Sequence, residues 1–222
     1  NNLIYFLVAI ILFSANEPGE HPVVSGWLSL AIVLGTFVAY FQVANYFFSK
    51  IKPGVSAQYF STEKKLSILV IFFFAISIYF ADVKFFLNIF SFEGLFPSLV
   101  NGIGIFLFLC YFFILWFVAR VPYQRVFGIQ NSAQKFIFSN LKTNLPIILP
   151  WFFLSVIYDL VALLPIKGLK EFLQTGFGDL LFFGFFLLVI LFLFPPVIKS
   201  LWGYTRVVDG PLRREMEEFC RT

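Results

Sequence analysis

One imidazole and two carboxylates stand close together near the start of the chain. His21 is the single histidine, and it follows Glu17 and Glu20 within five positions. One imidazole and two carboxylates without a second soft ligand more often form a solvated loop than a metal cage, so this cluster reads as a solvated acidic loop. One histidine also excludes a His-Glu-x-x-His helix from these residues, and with it a zinc or nucleophile-type active site built here. Asp159 poses a different question, because it falls inside an apolar stretch. A carboxylate at a bilayer centre costs roughly 2.5 to 3.5 kcal/mol on insertion scales, and the surrounding Leu, Ile, Val and Phe residues return at most about 0.3 to 0.6 kcal/mol each. It also lies only about 9 Å from the helix end near Pro165, at about 1.5 Å per residue. Two readings stand: an intramembrane proton or ion site, and a carboxylate that reaches the headgroups. Tyr158 and the Lys167 to Lys170 segment are its candidate partners.

Other patterns carry less chemistry. Gly102-x-Gly104 and Gly176-x-Gly178 lack the strand, turn and helix context that a phosphate loop needs. Glu217-Glu218-x-x-Arg221 sits on a charged tail and reads as helix-surface charge. Cys110 lies in an apolar run and Cys220 near the C-terminus, which gives no disulfide framework.

The elements that must position these residues follow from composition. The 222 residues are 60% hydrophobic and 22% aromatic with 13% charged side chains, and the mean hydropathy is +0.90, outside the range of a soluble globular domain. Phe occurs 35 times, in runs such as Phe72 to Phe74 and Phe182 to Phe186 that leave no polar face. Lipid is the natural solvent for such runs. A hydrocarbon core of about 30 Å needs about 20 apolar residues of helix. The stretches at 23–48, 66–81, 97–119, 145–164 and 177–198 meet or approach that length, and the third span extends through Phe85, Phe86 and Leu87. Leu3 to Phe13 is a further apolar run without a start Met or a basic n-region, so it reads as a span cut open and the chain as a piece of a longer protein. The expected fold is all-α, a polytopic transmembrane helical bundle of six spans with the first truncated.

The formal net charge of +4 reflects topology and not a nucleic-acid partner, because the basic residues occupy the connections between spans. Four of the 16 Lys and Arg fall in 49–65, four in 120–144 and five from Lys199 onward, against none in 14–22, one in 82–94 and two in 165–179. The positive-inside rule then puts both termini in the cytoplasm. Ala31, Gly35 and Ala39 form a small-residue stripe suited to close helix approach. Within 120–144, Asn131-Ser132 predicts the cap of an interfacial helix with Ala133, Ile137 and Leu141 on one face and Gln134, Asn140 and Lys142 opposite, a plain surface loop being the alternative.

The chain changes character after Pro195-Pro196. We therefore divide it into a transmembrane domain, 1–198, and a cytoplasmic linker with an amphipathic helix, 199–222. Asp209-Gly210-Pro211 reads as a helix start, followed by Leu212, Met216, Phe219 and Cys220 on one face. The juncture Phe194-Pro195-Pro196, then Val208-Asp209-Gly210-Pro211-Leu212-Arg213 and the helix from Glu215 to Arg221, resembles the segment that joins membrane helices to the catalytic domain in HtpX-like and CAAX-prenyl-protease-type zinc metallopeptidases. Val207-Val208 stands where that family commonly has Pro-Leu. The span from Pro146 to Asp159, with Pro150-Trp151 near its start, is also similar to bacterial members.

The resemblance implies that these residues anchor a zinc endopeptidase in the bacterial cytoplasmic membrane. A soluble domain beyond them would hold the zinc and the His-Glu-x-x-His helix, and membrane proteins or peptides would be its substrates. None of the family's catalytic or metal-binding residues falls in this chain, which would be inactive alone. The alternative is a non-enzymatic polytopic protein, such as a transporter subunit, that uses Asp159. The lipid bilayer is the partner under either reading, and nucleic acid under neither.

Overall fold

A computed structural model describes residues 2–92, 94–164, 168, 172 and 175–202. Seven α-helices and no strand occur among them: α1 (Leu3–Ala15), α2 (Gly26–Ser49), α3 (Ser56–Tyr79), α4 (Val83–Leu87), α5 (Pro97–Phe127), α6 (Ala133–Ala162) and α7 (Gly176–Trp202), with a 3-10 turn at Asn88–Ser91. α2 and α5 are each long and apolar enough to cross a membrane unbroken. Three bent pairs bring the candidate spans to as many as five: α3 with the Val83–Ser91 segment at 69°, the two halves of α6 at 55° and the two halves of α7 at 46°. The expected sixth, α1, has 13 residues and so reaches only about 20 Å.

Pro97 opens α5 at a position where its missing N–H costs nothing, and Gly128 closes it with φ 71, the left-handed conformation glycine tolerates best. Between them α5 is the hub, packing against α1, α2, α3 and α6. Its buried side includes Phe108, Tyr111, Phe112, Leu115 and Trp116, and Phe6 of α1 stacks on Phe112 with ring centroids 5.4 Å apart. Outward side chains are as apolar as the core. Phe192 is 75% and Leu180 68% exposed, a surface that only lipid or another helix would solvate.

Several expected boundaries shift. Arg120 to Phe127 belong to α5, so the long basic loop expected at 120–144 shrinks to five residues, 128–132. Ser132 caps the next helix as expected, accepting a bond from the Lys135 backbone N–H at 3.2 Å. That helix is continuous with the following span, and the expected interfacial segment is its first half, set off by the bend after Pro146. Asn140 faces the half-buried side with Ile137 and Leu141, because its amide donates to the Phe136 carbonyl and its own carbonyl accepts from Asn144.

The Ala31, Gly35 and Ala39 stripe does not mediate helix packing here. All three are exposed, and nothing lies within 4 Å of a Cβ built on Gly35. α2 instead buries Ser29, Thr36, Tyr40, Ala44 and Phe48. The close approach made by glycine occurs on α5, where Gly104 sits under the Phe13 ring and Gly102 beside Phe152. Pro195 and Pro196 bend α7 without ending it, and it continues to Trp202. Asp209, Gly210, Pro211, Leu212 and Arg213 lie outside the described residues.

Candidate intramembrane polar site

The last two turns of α6 bring Asp159 against the start of α5. The first backbone N–H groups of a helix have no intrahelical acceptor, and a carboxylate near them is favoured by hydrogen bonding and by the helix dipole together. Asp159 meets that demand: its Oδ2 accepts from the Ser98 backbone N–H at 2.8 Å, and the residue is 8% exposed. Burial of the carboxylate is thus compensated by capping. A cavity of about 430 Å³ opens beside it, lined by Asn101 of α5, Ser155 and Tyr158 of α6, and Phe182 and Phe183 of α7. The Ser155 hydroxyl turns back to the Trp151 carbonyl at 3.1 Å, and the Tyr158 ring meets Phe182 edge to face at 5.3 Å. Lys167 and Lys170, expected as partners of Asp159, lie outside the described residues.

Two more charged side chains act on helix ends. Asp82, itself at φ 50, accepts from the Val23 backbone N–H at 3.0 Å and so holds the entrance to α2 against the bend between α3 and α4. Lys84 Nζ donates to the carbonyls of Phe13, Ser14 and Asn16, at 2.8, 3.2 and 2.5 Å. These are the carbonyls that the end of α1 leaves without intrahelical partners, and a cation there also complements the dipole. At the other end of α1, Asn2 donates to Asn144 of α6 at 2.9 Å.

Where α2, α3 and α5 meet, three hydroxyls form a closed cluster. Tyr111 Oη lies 2.7 Å from Thr36 Oγ1 and 2.6 Å from Ser77 Oγ, and the latter two are 3.1 Å apart. The Val33 and Phe73 carbonyls accept from Thr36 and Ser77 at 2.7 and 3.2 Å. With the Thr36 and Ser77 protons on those carbonyls, the Tyr111 proton is left to bond one of the two hydroxyl oxygens, and the cluster pairs polar groups where three helices meet.

Asp159 was legible as a buried polar residue, but its capping role was not. No sequence motif marks Asp82, Lys84, Asn144 or the hydroxyl cluster. Their signal was present: a Thr, a Ser and a Tyr inside apolar runs, and two opposite charges at a helix bend. His21, Glu17 and Glu20 are all exposed in the connection between α1 and α2. No protein-family model, curated protein or solved structure matches the chain.

Proposed function

We propose that this chain is the membrane anchor of a zinc-dependent metalloendopeptidase, holding a cytoplasmic catalytic domain against a bacterial inner membrane. The observation that carries this reading is the use made of Asp159. Its carboxylate caps α5, and Asp82, Lys84 and the Thr36, Ser77 and Tyr111 hydroxyls likewise join one helix to another. Polar groups employed in this way suit a static scaffold better than a transport path, whose ligating groups must exchange partners during each cycle. The resemblance of the Pro195 to Arg221 segment to the metallopeptidase linker supplies the catalytic partner. The Lys and Arg distribution, 13 on one side against three on the other, supports six passes with both ends cytoplasmic, α1 counting as the first.

The test is the coding sequence beyond Thr222. A His-Glu-x-x-His motif on a predicted helix within roughly the next hundred residues is the expected result. The purified parent protein should then cleave a membrane-protein substrate, lose that activity to a chelator and regain it with zinc. A stop codon at that point, or a further apolar span, overturns the reading.

A further inference from the structure

Between the C-terminal ends of α2 and α5 lies a cleft of about 270 Å³ that the metallopeptidase reading does not use. Its polar end holds Arg120 and Arg125 from α5 with Asn45 and Ser49 from α2, and its apolar end holds Phe41 and Phe117. No acidic side chain lines it. Arg120 commits its Nε to the Asn131 carbonyl at 2.8 Å, which fixes the side chain and leaves the two terminal nitrogens as donors. Arg125 is exposed and has no hydrogen-bond or ion-pair partner among the described residues. From Phe41 to Ser49 and from Phe117 to Arg125 are eight residue steps each, about 12 Å of parallel helix. Along α5 the cleft passes from Phe117 to Arg120 within about one helical turn and reaches Arg125 about 12 Å on, so it grades from aromatic rings, Phe41 39% and Phe117 53% exposed, to two guanidinium groups.

We propose that this cleft binds an anionic phospholipid, its phosphate held by Arg120 and Arg125 and the first methylenes of an acyl chain lying along Phe41 and Phe117. Guanidinium forks match phosphate oxygens bidentately, and a basic pocket between membrane helices at the positively charged face is where such headgroups are retained. The amphipathic gradient distinguishes lipid from free phosphate, which would gain nothing from the aromatic end. The absence of an acidic side chain from the lining distinguishes anionic from zwitterionic lipid, whose ammonium would meet only cations. This assignment stands whether or not the parent protein is a peptidase.

Native mass spectrometry of the full 222-residue chain in detergent, with dioleoyl phosphatidylglycerol or dioleoyl phosphatidylcholine added, provides the test. Phosphatidylglycerol should be retained in preference to phosphatidylcholine. Arg125→Gln should weaken phosphatidylglycerol about fivefold, the equivalent of roughly 1 kcal/mol for one basic side chain near an anionic surface, and leave phosphatidylcholine unchanged. Arg125→Lys should recover part of the preference, and Lys142→Gln, an exposed cation of the same face outside the cleft, should leave it intact. Equal retention of the two lipids overturns the proposal, as does an equal loss with Lys142→Gln. Displacement of phosphatidylglycerol by millimolar inorganic phosphate would make the ligand a free anion and also overturn it.

Discussion

A single methyl group added at Gly104 should destabilise the bundle, while the same group at Gly35 should not. A Cβ on Gly104 would meet three atoms of the Phe13 ring at 2.5 to 2.7 Å, closer than such contacts occur. The ring cannot swing aside, since Phe13 is 1% exposed and stacked on Phe74 with centroids 6.4 Å apart. Overpacking of this kind costs about 1 to 3 kcal/mol, and the number of close atoms puts Gly104→Ala in the upper half of that range. Replacing glycine by alanine inside a helix returns about 1 kcal/mol of propensity. The net expectation is a loss of about 1 to 2 kcal/mol for Gly104→Ala and a gain of up to about 1 kcal/mol for Gly35→Ala. Propensity cancels in the difference between the two variants, so that difference, about 2 to 3 kcal/mol, measures the clash itself. Reversible unfolding in mixed detergent and dodecyl sulfate micelles, followed by far-ultraviolet circular dichroism, reads both variants. Phe13→Leu added to Gly104→Ala should recover part of the loss, because the smaller side chain vacates the volume the methyl needs. If Gly104→Ala proves as stable as Gly35→Ala, the close approach of α1 to α5 is refuted.

The remaining interactions make separate predictions in the same unfolding assay. Tyr111→Phe should cost about 0.6 to 1.7 kcal/mol, the range for hydrogen bonds between membrane helices, because Thr36 and Ser77 remain in contact and each keeps a backbone carbonyl. A loss well above that range would mean the hydroxyl cluster is coupled to more than helix packing. Asp159→Ala should cost about 0.5 to 2 kcal/mol by removing the cap from the Ser98 N–H, whereas Asp159→Asn keeps an oxygen acceptor and should lose a few tenths at most. Destabilisation by Asn equal to that by Ala would count against capping as the role of this side chain. Lys84→Met should cost about 1 to 2 kcal/mol, since the apolar replacement cannot reach the α1 carbonyls with a donor or a charge. Hydrogen exchange should rise at the amides of the last turn of α1, up to Ala15, and unchanged protection there would contradict the contact.

Local chemistry settled much of this fold in advance. Apolar runs of Phe, Leu and Ile longer than a soluble core can absorb dictate helices in lipid, because a helix satisfies its backbone within one segment. Ser132 was recognisable as a cap from its position before an amphipathic pattern, and the core of every apolar run became a helix. Boundaries were less legible. α5 runs eight residues past its apolar run, because Arg120, Gln124 and Arg125 extend a helix readily once its apolar face is packed. The change of character after Pro195 and Pro196 marks a domain boundary at 198 in the sequence, yet the helix runs past it to Trp202 with a bend.

Partnership between distant residues belongs to the tertiary structure alone. Sequence by itself marks Asp159 as a carboxylate that must find compensation, but the Ser98 N–H that supplies it is 61 positions away, and only the packing of α6 on α5 brings them together. The same holds for the glycines. Gly35, in a small-residue stripe, and Gly104, in a dismissed pair, differ in which helix face turns inward. Apolar periodicity cannot reveal that choice when lipid-facing and core-facing side chains are equally hydrophobic.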